Sequence, residues 1–154
     1  MLFYIVRHGM AKPMEEDPER RLTEQGIAET KKIADFLRPL KLSVEVIYHS
    51  GKARAKETAE IVAECVESAQ GVRQRDGISP DDDVKKFAKE IDRVEKDVMI
   101  AGHQPFLPKL VAYLLTGDQE ESVVILPLSG VICFERDAEG RWLLQWMVIP
   151  EMLK

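Results

Sequence analysis

The first apolar stretch of the chain, residues 2–6, is continuous, as expected of a strand covered on both faces. A polar stretch over 11–21 carries Pro13 and Pro18 among charged neighbours and predicts a loop. Thr23 is placed to cap a helix running to about Arg38, in which Ile27, Thr30, Ile33, Ala34 and Leu37 recur at helical spacing and which Pro39 ends. A second strand is expected over 44–48. A second helix, over about 52–67, places Ala55, Ala59, Val62 and Val66 on one face. Residues 71–83 read as a loop, about 84–94 as a polar helix, and 97–101 as a third buried strand. Pro105 opens a further helix to about Leu115. The last third is β-rich at 123–126, 131–135 and 142–148, with turns at Ser129-Gly130 and Glu139-Gly140, which predicts edge strands and at least one hairpin.

Alternating strands and helices predict an α/β fold built on a parallel sheet with crossover helices. With 154 residues, 45% of them hydrophobic, and no linker or repeat, the chain is expected to form a single domain over 1–154. No apolar run approaches the roughly 20 residues of a membrane span, and no basic leader precedes the first strand, so a soluble, cytoplasmic protein without membrane contacts is expected. Cys65 and Cys133 lie far apart and suggest neither a disulfide framework nor a thiolate metal site. A net charge of -5 argues against nucleic acid as a partner. Any anion site must be local.

Placed on this scaffold, the unusual polar residues converge. Arg7-His8-Gly9 follows the first strand, Ser50 and Arg54 follow the second at a helix start, and Gly102-His103 follows the third. Ligands of open α/β sheets bind at the carboxyl ends of strands, and helix N-termini there add free N–H groups and partial positive charge. Such a pocket suits a phosphate. Neighbouring guanidiniums at Arg7 and Arg54 disfavour a protonated His8 and hold phosphoryl oxygens, which makes His8 the candidate nucleophile. Phosphoryl transfer needs fixed donors around three equatorial oxygens, which Arg7, Arg54 and His103 supply.

Four blocks now stand in order: Arg7-His8-Gly9; Leu22-Thr23-Glu24-Gln25-Gly26; Ser50 with Arg54-Ala55 and Thr58-Ala59; and Gly102-His103-Gln104-Pro105. In this order the chain resembles the histidine phosphatase superfamily, whose fold is phosphoglycerate mutase-like. Its short length, Arg20 just before Leu22-Thr23, and the closing Trp146, Pro150 and Leu153-Lys154 are similar to SixA-type phosphohistidine phosphatases. The resemblance implies a three-layer α/β sandwich with a mostly parallel central sheet and helices on both faces. It also implies that His8 becomes phosphorylated, that Arg7, Arg54 and His103 complete the phosphate pocket, that Arg20 is a supplementary substrate contact, and that no metal or organic cofactor is required. Two departures are Gly51, where a proline often follows the serine, and Met10, where an acidic residue is common. Larger family members draw a proton donor from the segment before the third strand. Here Asp76, Asp81, Asp82, Asp83 and Glu90 compete for that role.

Each assignment has a plainer competitor. Arg54 has the alternatives of a solvated charge or a pair with Glu57 or Glu60, and His103 that of a satisfied strand-end histidine; one shared pocket weakens both. Arg20 and Arg21 lie in a charged loop where solvation is the default; Arg21 is placed on the surface. His49 beside Ser50 suggests a zinc site made with His8 and His103, but Arg7 and Arg54 would repel a dication. Ser50 at a helix start reads as an N-cap before it reads as a nucleophile, and Asp81-Asp82-Asp83 as an acidic helix N-terminus before a proton donor.

Leaving-group chemistry orders the substrates. An alkyl phosphate expels a poor alkoxide and benefits from a positioned acid, whereas protonated imidazole leaves readily. With no single acid marked out and little length for a lid, the expected substrate is phosphohistidine on a protein, followed by a small phosphomonoester. A non-enzymatic phosphate-binding module would not need His8 between two arginines.

Overall fold

The structure, a computed structural model, describes residues 1–154. In chain order the elements are β1 (Leu2–Arg7), α1 (Glu24–Leu37), β2 (Ser43–Val44), β3 (Val46–His49), α2 (Ala53–Ala63), β4 (Glu67–Ser68), β5 (Val72–Gln74), α3 (Val84–Ile91), β6 (Val98–Gly102), α4 (Phe106–Thr116), β7 (Val131–Arg136) and β8 (Trp142–Val148). The main sheet has the order β5-β3-β6-β1-β7-β8. Its first four strands are parallel, and β7 and β8 add an antiparallel hairpin beside β1.

Strand alternation divides the core between the two faces of the sheet. Phe3 and Ile5 of β1 point to one side, where they meet Phe87 and Ile91 of α3 and Phe106 and Leu110 of α4. Tyr4 and Val6 point to the other and meet Ile33 and Leu37 of α1 with Ala59 and Val62 of α2. A three-layer α/β sandwich results, with a mostly parallel sheet between two helical layers. This matches the expected architecture. No helix is long and apolar enough to cross a membrane.

The order of the strands also locates a crevice. From β1 the chain crosses through α1 to β3 and through α2 to β5, moving one way along the sheet; it then returns through α3 to β6 and passes through α4 to β7 on the other side of β1. Winding therefore reverses between the neighbours β1 and β6, the switch point where open α/β sheets leave room for a ligand.

Several local expectations need correction. The strand expected over 44–48 is divided: Val44 pairs with Ser68 in a separate two-stranded sheet, while Val46–His49 joins the main one. The break falls at Glu45, whose N–H donates to the carbonyl of Asp97. The second helix stops at Ala63 because the chain turns to form β4. β5 lies inside the stretch expected to be loop; its three residues are too few to show a period, and pairing with β3 creates it. Residues 123–126 form no strand despite their β-branched side chains, since β7 takes the place beside β1 and β8 the place beside β7, and neither pairs with them. Pro105 caps α4 from outside rather than occupying its first turn.

Candidate active site

Register brings the two central histidines together. Arg7 pairs with Gly102 across β1 and β6, and the N–H of His8 continues the ladder onto the Gly102 carbonyl at 2.9 Å. His8 and His103 thus leave adjacent strand ends, with ring centroids 5.2 Å apart. On the far side of β6, His49 pairs with Ala101, which sets Ser50 next to His103: its Oγ lies 2.6 Å from His103 Nε2. Arg54 stands in the first turn of α2.

The tautomer of His8 follows from its neighbour. Nδ1 lies 2.7 Å from the Gly9 carbonyl oxygen, which only accepts, so Nδ1 carries the proton and the lone pair is on Nε2. Gly9 is itself anchored. Its N–H donates to Thr58 Oγ1 at 3.0 Å, and the Thr58 hydroxyl donates to the Arg54 carbonyl at 2.7 Å. A Cβ at Gly9 would lie 2.7 Å from Thr30 Oγ1 and 3.2 Å from Ser129 Oγ, so only glycine lets α1 and the 129 turn close over this backbone.

Electrostatics keep both imidazoles neutral at pH 7. Burial, with the Arg54, Arg7 and Arg20 guanidiniums, brings the pKa of His8 down to about 4 against the opposing bond to Gly9. His103, only 1% exposed, is brought down to about 3 by burial first, then by His8, Arg54, Lys52 and Arg20. Burial also lowers Arg7 and Arg54. None of Arg7, Arg20 and Arg54 forms a salt bridge, so the alternative pairing of Arg54 with Glu57 or Glu60 is not made. Three guanidiniums without a carboxylate around a neutral imidazole are suited to an anion. Arg7 Nε, Arg54 Nε and His103 Nδ1 are buried without hydrogen-bond partners.

Arg20 reaches this group from the loop. Its residue adopts a left-handed φ of 52° and its Nε donates to the Lys12 carbonyl at 3.2 Å. Asp17 organises the turn by accepting from the N–H groups of Glu19 and Arg21 and from Arg21 Nε, and these bonds hold its carboxyl at about 2. Arg21, with its side chain 56% exposed, lies on the surface as expected.

Other sequence candidates fall elsewhere. Lys52, not Ser50, is the N-cap of α2, so the serine is released from capping and turned towards His103. Gly51 has a φ of +95°, which proline cannot adopt, and this accounts for the missing proline. His49 is buried, and its Nδ1 accepts the Gly51 N–H at 3.0 Å; it forms no three-histidine cluster with His8 and His103. Asp83 caps α3 through the Lys85 N–H, and Asp82 accepts from the Ser79 N–H. Asp76, Asp82, Asp83 and Glu90 line a separate cavity of about 540 Å³, in which Glu90 pairs with Arg75. Asp81 is exposed. Arg54, Arg7 and Arg20 act on His8, and Arg54, Lys52 and Arg20 act on His103 alongside His8.

The sequence gives no direct sign that Thr58, Thr30, Ser129 or the Leu126 carbonyl supports the site. Thr58 stood within a motif block, and its position one helical turn after Arg54 was the available signal. Leu126, which accepts from Arg7 Nη1 at 2.9 Å, is 119 residues away and offered none.

Comparison with known proteins agrees with this geometry. The histidine phosphatase superfamily (branch 1) matches residues 3–79. Phosphohistidine phosphatase SixA of Escherichia coli (strain K12) is 26% identical over 159 residues, covering 100% of this chain and 97% of that protein. A protein of Picosynechococcus sp. (strain ATCC 27264 / PCC 7002 / PR-6) is 34% identical over 114 residues, 70% of this chain and 68% of its own. The solved structure of the protein histidine phosphatase SixA complexed with tungstate superimposes with a TM-score of 0.87 at 27% identity, covering 100% of both chains. With its paired histidines and unpaired arginines at the sheet's switch point, the chain belongs to branch 1 of the histidine phosphatase superfamily and is a phosphatase.

Proposed function

We propose that this phosphatase removes the phosphoryl group from phosphohistidine on a protein, through a covalent intermediate on His8 Nε2. The observation that carries the reading is a neutral His8 with a free Nε2 lone pair among three guanidiniums that pair with no carboxylate. Full-length similarity to a phosphohistidine phosphatase supports the substrate class. Residues 1–154 act as one catalytic domain in this reading, located in the cytoplasm.

Nε2 attacks phosphorus in line as the P–N bond to the substrate imidazole breaks, and the departing imidazole takes its proton from solvent. Arg7, Arg54 and His103 bind the equatorial oxygens, where their charge and N–H groups offset the charge of the transition state. Arg20 contacts the substrate from the loop. Water then attacks phosphorus on phospho-His8, the second P–N bond breaks, and inorganic phosphate leaves with His8 restored. Lewis-acid assistance from a metal is not needed in this scheme, because the guanidiniums already occupy the oxyanion positions.

Turnover of a phosphohistidine protein should be compared with that of small phosphomonoesters, while labelled substrate traps phospho-His8 in samples quenched and kept in alkaline denaturant, where the P–N bond survives. Greater kcat/KM on phosphohistidine with label on His8 is expected. Preference for a small ester moves the assignment to a phosphomonoesterase, and label elsewhere removes His8 as nucleophile.

A further inference from the structure

We propose that Ser50 is the positioning residue that fixes His103 in the tautomer with its proton on Nδ1. The assignment rests on the reading of His8 and His103 as the phosphoryl-transfer pair. A serine hydroxyl has one proton and two lone pairs. Ser50 Oγ accepts the Lys52 N–H at 3.4 Å and stands 2.6 Å from His103 Nε2, and in the proposed arrangement the serine hydroxyl donates across that separation. Nε2 then accepts, and the remaining proton of a neutral imidazole must be on Nδ1.

The surroundings of Nδ1 support the same tautomer. Arg54, Lys52 and Arg20 are the cations acting on this ring, yet Nδ1 takes a hydrogen bond from none of them and is buried without a partner. A lone pair among cationic donors would attract one. An N–H among them would not. It is instead one more donor for a phosphoryl oxygen, whereas a lone pair there would repel that oxygen. The two imidazoles are therefore fixed from different sides: His8 by the Gly9 carbonyl, leaving Nε2 to attack, and His103 by Ser50, leaving Nδ1–H to bind. β3 makes this possible by ending beside β6, so that Ser50 follows His49 where His103 follows Gly102.

The test is long-range ¹⁵N–¹H correlation of imidazole-labelled protein in phosphate-free buffer, for the wild type, Ser50→Ala and Ser50→Thr, with steady-state kinetics on each. Wild-type His103 should show a protonated Nδ1 and a bare Nε2. Ser50→Ala should move protonation towards Nε2 and lower kcat by about 10- to 100-fold, the scale associated with losing a hydrogen-bond partner behind a functional imidazole, with KM little changed. Ser50→Thr should restore both. A wild-type proton on Nε2, or a tautomer unaltered in Ser50→Ala, overturns the proposal. Failure of the substrate reading looks different: the wild type would prefer small esters, while the spectrum still decides the tautomer.

Discussion

Arg7 Nη1 donates to the Leu126 carbonyl at 2.9 Å, whereas Arg54 makes no side-chain hydrogen bond or salt bridge within the protein. One arginine of the phosphate pocket is thus tied to the fold, and the other is held only by its helix.

Replacement by alanine should separate these roles. Each of Arg7→Ala and Arg54→Ala is expected to lower kcat/KM by roughly 10²–10⁴-fold, the equivalent of two charge-assisted bonds at about 1.5–3 kcal/mol each. Only Arg7→Ala should also destabilise the fold, by about 1–3 kcal/mol, since it leaves the buried Leu126 carbonyl unpaired. Kinetics and denaturant unfolding of both variants check this, and equal stability losses would contradict it.

Thr58→Val should disturb His8 without touching it. The change removes the acceptor of the Gly9 N–H and the bond to the Arg54 carbonyl, with an expected cost of about 1–3 kcal/mol. Turnover should fall with KM less affected, because Gly9 sets the His8 tautomer. Gly9→Ala should be more damaging to activity, as its Cβ meets Thr30 Oγ1 at 2.7 Å.

Acid should weaken the protein through the same histidines that serve catalysis. An unfolded histidine takes up a proton near pH 6.5, whereas folded His8 and His103 do so only near 4 and 3. The unfolded chain therefore binds more protons across that interval, and stability present above pH 6.5 is lost as pH falls towards 4 and 3. His8→Gln should flatten the profile of unfolding free energy against pH. Ring NMR signals of wild-type His8 in phosphate-free buffer should barely move between pH 8 and about 5.5; titration near 6.5 would disprove the depressed pKa.

Amide replacements of Asp76, Asp81, Asp82, Asp83 and Glu90 should hardly change phosphohistidine hydrolysis, because four of them line a cavity that none of Arg7, His8, Arg54 and His103 borders, and Asp81 is exposed. Asp83→Asn should also retain stability, since asparagine caps a helix about as well as aspartate. A loss of roughly 10²–10⁴-fold in one variant, confined to alkyl phosphates, would identify a general acid. A uniform loss across leaving groups would instead indicate damaged folding.

Local pattern was sufficient for the long elements and for the residues that begin the site. The continuous run before Arg7, the helical spacing from Ile27 to Leu37 and the Gly102-His103 junction each express burial or capping over a few neighbours, and all appear where expected. Elements decided by pairing did not: β5 exists because β3 pairs with it, and residues 123–126, though rich in β-branched side chains, lack a strand because no sheet edge receives them. Similar limits applied within the pocket. Ser50 read as an N-cap until the register of β3 against β6 placed it 2.6 Å from His103, 53 residues onward. Arg7 with Leu126 and Thr30 with Ser129 meet across 119 and 99 residues. Such bonds leave no periodic trace in a chain, because their partners become neighbours only after the sheet has set its strand order; the residue types that perform chemistry are local, and the hydrogen bonds that orient them are not.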